Sequence, residues 1–356
     1  MRHPKFLVIR RDNIGDLVCT TPLLSMLRAH FPQAEICALV NSYNAAVLEN
    51  NTDINTVYAY TKAKHRATEQ SLLGVYLERA VQMLEMRRKR FDYAILAGAF
   101  ASRALKLARM VRPKHIIAYA DAGIRGIDLP VVKNWDEDSH EVEVVCGLLS
   151  ALGMTASPPP VKVYADPVLA GQVRARLAAL FEQKMPTASA HRHLIGIHIS
   201  ARKPSQRWQA GRFVELIRKL AAVEKMAFVL LWSPGDEANP LHPGDDGKAA
   251  EILASLADQP VVGYPTHRLQ ELIGVLSLCD AVICSDGGAM HLAAGLGKPI
   301  LCFFGKSDSR RWRPWGVPCE LIQPDSLEVA DITTEQALDG FERLLERHPL
   351  GEPGVR

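Results

Sequence analysis

Short apolar blocks recur along the chain, separated by segments whose apolar residues repeat every three to four positions. Residues 6–9, 36–40, 55–60, 93–96 and 115–119 are blocks of the first kind and read as strands. Residues 20–30, 68–88 and 139–152 are of the second kind and read as helices. In 68–88 the spacing of Leu72, Leu73, Tyr76, Leu77, Ala80, Val81 and Leu84 carries that reading. Strands that are apolar almost throughout, alternating with helices, predict a parallel sheet covered on both faces. Residues 153–160, with prolines at 158, 159 and 160, interrupt the pattern as a linker would. The alternation then restarts with helices at 167–184, 211–222, 248–257 and 267–277 and strands at 194–199, 227–231, 280–284 and 299–304. The expected architecture is α/β, with two doubly wound, Rossmann-like units facing each other across a cleft. The units are residues 1–160 and 161–356, and the last helix is able to pack back on the first.

A length of 356 residues suits two cores better than one, and 48% hydrophobic with 23% charged residues is ordinary for a globular protein. No apolar run is long enough to cross a membrane, and residues 1–9 are too short in apolar character for a secretory signal. The seven cysteines (19, 37, 146, 279, 284, 302 and 319) form no Cys-x-x-Cys pair and read as reduced core thiols of a cytoplasmic protein. His191, His193 and His198 lack a carboxylate at a familiar ligand spacing, so no metal site is expected.

The net charge of +3 hides an uneven distribution. Residues 1–160 carry 20 Lys and Arg against 16 Asp and Glu, the remainder 22 against 23, and residues 62–114 alone 13 against 4. A basic face on one unit suits an anionic substrate or a negatively charged membrane surface. The run Arg87-Arg88-Lys89-Arg90 by itself reads as a solvated helix end. No aromatic stacking pattern accompanies the charge, which argues against nucleic acid.

Candidate chemistry lies where strands end. Ser285-Asp286-Gly287-Gly288 closes one strand and opens a small-residue helix, Ala289-Met290-His291-Leu292-Ala293-Ala294. Free backbone N–H groups at a helix start, with the positive end of its dipole, form an anion site, and the glycines admit a phosphate closely. The turn Ser200-Ala201-Arg202-Lys203-Pro204-Ser205-Gln206-Arg207-Trp208 adds cations suited to a diphosphate. Glu237, after another strand, is placed to take a ribose hydroxyl or to be an exposed turn acid. The loop Gly305-Lys306-Ser307-Asp308-Ser309-Arg310-Arg311-Trp312-Arg313 fits a substrate loop better than packing alone. In the first unit, Arg10-Arg11-Asp12-Asn13-Ile14-Gly15-Asp16 follows strand one without a dinucleotide Gly-x-Gly-x-x-Gly fingerprint. The residues alone leave Asp16 open between a first-turn cap and a general base.

Taken together, the set resembles glycosyltransferase family 9, the ADP-heptose:lipopolysaccharide heptosyltransferases, over nearly the whole chain. The resemblance rests on Ile14-Gly15-Asp16 with Thr21-Pro22, His140-Glu141, the His198 to Trp208 turn and Gly235-x-Glu237. Asp286-Gly287-Gly288-x-x-His291-x-Ala293-Ala294 and Phe304-Gly305-x-x-Asp308 complete it. It implies a GT-B fold and inverting transfer of a heptose or related sugar from an ADP-sugar to a phosphorylated lipopolysaccharide-core or other glycan acceptor. Asp16 matches the family's base. Ser200, Arg202, Lys203, Arg207, Glu237, Asp286, Gly287, Gly288 and His291 match its donor side, and Asp308 its substrate loop. Arg10, Asn13 and Arg66 are the acceptor candidates. The ADP-sugar is a co-substrate, and no other cofactor and no metal ligand is implied. The enzyme would work in the cytoplasm, at the inner face of the membrane.

Three departures stand out. Gln206 occupies a position where the family commonly has Lys, Ser307-Asp308-Ser309 replaces Thr-Asp-Pro, and Asn239 to Gly247 is an enlarged loop. Two other readings remain on sequence alone: a catalytically silent nucleotide-sugar-binding protein, and a GT-B-like nucleotide-sugar epimerase. Turnover with any donor removes the first, and product analysis with donor alone separates the second.

Overall fold

A computed structural model describes residues 3–60, 72–98, 102–121, 123–185, 192–222, 225–239 and 244–351. Arg66, His191 and residues 240–243 of the enlarged loop lie outside the described residues. The chain forms two compact units, Met1–Lys162 and Val163–Arg356.

The first unit is a six-stranded parallel sheet of β1 (Lys5–Ile9), β2 (Glu35–Asn41), β3 (Thr56–Tyr60), β4 (Tyr93–Leu96), β5 (His115–Tyr119) and β6 (Leu129–Val131). Its strand order is β3-β2-β1-β4-β5-β6. The helices are α1 (Ile14–Val18), α2 (Thr21–His30), α3 (Leu72–Lys89), α4 (Ser102–Val111) and α5 (Glu141–Gly147). Leu7, Ile9, Leu39, Phe91, Ala94 and Leu96 build the core on one face of this sheet. The order reverses between β1 and β4, so the loops after these two strands flank the crevice where open α/β sheets bind ligands.

The second unit repeats the plan. After α6 (Pro167–Lys184), its sheet holds β7 (His193–His198), β8 (Met226–Trp232), β9 (Val261–Pro265), β10 (Ala281–Ser285), β11 (Ile300–Phe303) and β12 (Cys319–Ile322). The order is β12-β11-β10-β7-β8-β9, which is the first unit's order read from the other end. The reversal here falls between β7 and β10. Its helices are α7 (Ala210–Ala221), α8 (Asp246–Ser255), α9 (Leu269–Leu278), α10 (Gly288–Gly295), α11 (Ser309–Trp312) and α12 (Thr334–Arg347). Every residue of β8 is buried, as an unbroken Met-Ala-Phe-Val-Leu-Leu-Trp run requires of a strand covered on both sides. The last described helix, α12, packs on α7, β11 and β12 within this unit.

Local chemistry sets the boundaries. Asp166 accepts a hydrogen bond from Leu169 N at 2.8 Å and Pro167 follows at the first helical position, which fixes the start of α6. Val163 N donates to Gly295 O at 2.8 Å, and a Cβ on Gly295 would come within 2.4 Å of the Val163 side chain. A glycine at the end of α10 therefore lets the incoming segment lie directly against it.

Candidate active site

In the first unit the site grows from the end of β1. Arg10 is only 3% exposed, and Nη1 donates to Ala97 O, just past β4, at 2.7 Å. Nη2 donates both to Asp16 Oδ1 at 2.6 Å and to Glu141 Oε1 at 2.8 Å, and Nε stands 3.1 Å from Asp12 Oδ2. Burial works against the Arg10 charge, but Glu141, Asp16 and Asp12 outweigh it and hold the pKa above the ordinary value. A Cβ on Gly98 would approach Arg10 Nη1 to 2.7 Å, and its φ is +143°, so glycine leaves room for the guanidinium at the strand reversal.

The second oxygen of Asp16 is also held. Oδ2 accepts from Asn13 N at 3.0 Å and from Asn13 Nδ2 at 3.1 Å, while Asn13 caps α1. Asp16 thus makes the capping contacts of the first turn, one of the two roles the sequence leaves open. Arg10 and Asn13, the expected acceptor residues, both hydrogen-bond Asp16. Glu141 comes from α5, whose start is closed by His140 Nδ1 accepting from Val142 N at 3.0 Å. The loop backbone is held as well: Asn44 donates to Asp12 O and Asn13 O, and the Tyr43 hydroxyl donates to Asp12 O.

In the second unit, the turns after β7 and β10 and the loop after β11 meet at Gln206. This side chain is 2% exposed; Nε2 donates to Asp286 Oδ2 at 2.9 Å and to Ser307 Oγ at 2.8 Å. Its Oε1 accepts from Gly305 N at 3.1 Å. Lys203 Nζ donates to the same Ser307 hydroxyl at 3.2 Å. Gln323 secures the loop from behind by donating to Gly305 O and Ser307 O. Trp208 anchors the β7 turn, since its ring packs on Phe213 and Phe303 and its Nε1 donates to Ile332 O at 2.9 Å.

Gly287 precedes α10 with φ +159°, and a Cβ there would meet nothing within 4 Å. The space beside Gly287 at the start of this helix is open, which suits an anion approaching a helix terminus. His291, one turn further, is 5% exposed with Trp312 set edge-on at 6.1 Å. Arg207 and Glu237 pair at 2.8 Å, and Arg207 Nε also donates to Ala201 O. Arg202 is exposed, and Ser200 Oγ accepts from Ser233 N at 2.9 Å. Asp308 caps α11, accepting from Arg310 N at 3.0 Å and Arg311 N at 3.4 Å.

Two residues that sequence reasoning did not assign complete the picture. Lys248 of α8 donates to Ile199 O at 3.2 Å, and burial lowers its pKa. His198 is pushed down to about 4, mainly by burial and then by the Lys248 charge, so its imidazole is neutral at neutral pH. Lys248 lies 50 residues beyond His198 inside an ordinary helical pattern, which gives no signal of this contact. Among the described residues no group of three or more His, Cys, Asp or Glu side chains could hold a metal ion.

The glycosyltransferase family 9 (heptosyltransferase) model matches residues 82–338. Lipopolysaccharide heptosyltransferase 3 of Escherichia coli is 22% identical over 347 residues, covering 95% of this chain and 94% of that protein. A family 9 glycosyltransferase structure from Veillonella parvula superposes with a TM-score of 0.78 at 18% identity, over 98% of this chain and 99% of the other. The heptosyltransferase WaaC of E. coli with ADP-2-deoxy-2-fluoro heptose gives 0.72 at 16% identity, over 95% and 99%. The fold is the GT-B arrangement of these heptosyltransferases, with two Rossmann-like units each presenting its loops at a strand reversal. The chain belongs to glycosyltransferase family 9 and is a glycosyltransferase.

Proposed function

We propose that this enzyme transfers a heptose from ADP-heptose to a phosphorylated lipopolysaccharide-core acceptor, inverting the anomeric carbon. The observation that carries the reading is the Asp16 carboxylate, held on both oxygens by Arg10 and Asn13 at the strand reversal of the first unit. An acceptor hydroxyl attacks the anomeric carbon and gives its proton to Asp16. The bond from that carbon to the β-phosphate oxygen breaks, and its electron pair leaves with ADP. A positioned base of this kind contributes roughly 10²–10⁴-fold.

On the donor side, the growing charge of the diphosphate is met by the Gly287-Gly288 helix start, Lys203, Arg202 and Arg207. Donors that bind the leaving group more tightly as it gains charge lower the barrier, not merely the Michaelis constant. Glu237 takes the ribose. Its pairing with Arg207 is partly solvent-exposed, on the Glu237 side, and worth about 0–1 kcal/mol, so a nucleotide can open it at little cost. Asp286, turned by Gln206, and His291 face the transferred sugar, with Asp308 closing the loop beyond. No cofactor beyond the ADP-sugar enters the scheme.

A panel of ADP-, GDP-, UDP- and dTDP-sugars tests the donor. ADP-heptose is expected to raise Tm and to be consumed only when acceptor is present. A response to another nucleotide alone overturns the donor assignment, and donor conversion without acceptor overturns the transfer.

The acceptor is lipid-linked, and we place the enzyme at the cytoplasmic membrane surface. No helix among the described residues is long and apolar enough to cross a membrane. Of the eight large apolar side chains exposed among those residues, four lie on α3 and α4: Leu77, Val81, Leu84 and Met110. The first three fall at i, i+4 and i+7, one stripe of α3. Arg87, Arg88, Arg103, Lys106 and Arg109 are exposed on the same two helices, against Glu78 and Glu85. An apolar stripe beside basic residues suits an anionic bilayer surface. Sedimentation with phosphatidylglycerol vesicles should fall at least fivefold in Leu77→Ser/Leu84→Ser. Equal sedimentation of this variant, or no binding by the wild type, defeats the placement.

A further inference from the structure

The loop between β8 and α8 carries Glu237, and its neck is closed by residues that the reaction above leaves unused. The returning limb is laced to the outgoing one. Asp245 N donates to Ser233 O at 3.0 Å, Gly244 N to Asp236 O at 3.0 Å, and Asp246 N to Gly235 O at 3.3 Å. The limbs lie so close that a Cβ on Gly244 would collide with the Gly235 backbone, and Gly235 itself holds φ at +128°. Asp246, the first residue of α8, clasps this neck with both carboxylate oxygens. Oδ1 accepts from Trp232 Nε1 at 2.7 Å, and Oδ2 accepts from Gly235 N at 2.9 Å. These two bonds, Trp232 foremost, hold its carboxyl below the usual carboxylate range. The same helix reaches the end of β7 through Lys248 and Ile199 O, and Ser200 Oγ joins the two turns by accepting from Ser233 N. Glu237 stands two residues beyond Gly235, with an exposed side chain whose one ion pair among the described residues is with Arg207. Its place is therefore set by the loop backbone rather than by packing of its side chain.

We infer that Asp246 is a positioning residue for nucleotide recognition: by clasping Trp232 and Gly235 it sets Glu237 where a nucleoside diphosphate presents its ribose hydroxyls. A hydroxyl donating to a carboxylate makes a short, charge-assisted bond with a narrow range of good geometry. A loop displaced by about 1 Å forfeits most of it. Asp246 touches no substrate in this scheme and acts only through Glu237. The inference rests on Glu237 being the ribose ligand.

The test is calorimetric titration of the full-length chain with ADP and with 2′,3′-dideoxy-ADP, which lacks both ribose hydroxyls. Wild type should prefer ADP at least tenfold. Asp246→Asn sets an amide N–H₂ against one of the two N–H donors and loosens the neck. ADP should then bind at least fivefold more weakly, while dideoxy-ADP changes less than twofold. Gly244→Ala forces the limbs apart from the other side and should give the same selective loss. In a double-mutant cycle, Asp246→Asn added to Glu237→Gln should weaken ADP by less than a further twofold, because the contact it serves is already gone. Equal weakening of both nucleotides in Asp246→Asn, or full additivity with Glu237→Gln, overturns the positioning role. A preference for ADP that Asp246→Asn and Gly244→Ala leave intact defeats the inference alone. Wild type binding both nucleotides alike, with Glu237→Gln changing neither, defeats the ribose role of Glu237 and the inference with it.

Discussion

Asp16→Asn is expected to lower kcat by roughly 10²–10⁴-fold while ADP-sugar affinity changes no more than a few-fold. The substitution preserves shape and removes the charge and the proton acceptor. It also sets an amide N–H₂ against donors that now meet a carboxylate, either Arg10 Nη2 or Asn13 N and Nδ2. That mismatch costs about 1–3 kcal/mol of local order, so the fold is checked by thermal unfolding alongside the kinetics. Gly98→Ala approaches the same point from the neighbouring strand. Its Cβ would press on Arg10 Nη1, and φ at this position is unfavourable for any side chain. This variant should lose kcat too, by less than Asp16→Asn, with donor affinity intact. Normal turnover in Asp16→Asn, or loss of donor binding, would remove Asp16 from the role of base.

Gln206→Leu carries the second large effect, and it falls on the donor. Leucine retains the bulk and deletes three hydrogen bonds at once, to Asp286, Ser307 and Gly305. The buried Gly305 N–H is then left without its acceptor, at a cost of about 1–3 kcal/mol, and Asp286 loses the contact that turns it. Donor KM should rise at least tenfold and Tm should fall by several degrees. Gln206→Lys separates the two consequences. A lysine can donate to Asp286 and Ser307, but it offers nothing to Gly305 N–H. Donor KM should therefore recover most of the way to wild type while Tm stays low. An unchanged donor KM in Gln206→Leu would show that the glutamine is only a structural tie.

The alternation of strands and helices was legible because the inner strands of both sheets are nearly unbroken apolar runs. The strands that escaped are β6, β9 and β12, and each lies at a sheet edge. An edge strand pairs on one side only and tolerates what an inner strand does not. Leu129-Pro130-Val131 contains a proline, Val261-Val262-Gly263-Tyr264-Pro265 a glycine and a proline, and Cys319-Glu320-Leu321-Ile322 is only half-buried. Helix α6 could be bounded to the residue, since Asp166-Pro167 is a strong start signal. α4 escaped because its short apolar stripe, Leu105, Ala108 and Val111, is interrupted by basic residues on the exposed face. For the site, strand ends and glycines marked the Asp16 loop and the Asp286 turn. What sequence could not supply were the long-range partners. Glu141 is 131 positions from Arg10 and Gln206 about 100 from Ser307, and only the strand order brings these residues together.

The partnership between Arg10 and Glu141 also constrains how the enzyme comes into being. A nascent chain carries Arg10 out of the ribosome long before Glu141 is made; at about 5–20 residues per second the delay is on the order of ten seconds. Until then the only acids of its set are Asp12 and Asp16, and the buried ion pair to Glu141 is unmade. The loop that holds Asp16 therefore gains its last ion pair only from a distant partner. Its full set of contacts exists only once β4 and α5 have joined the sheet.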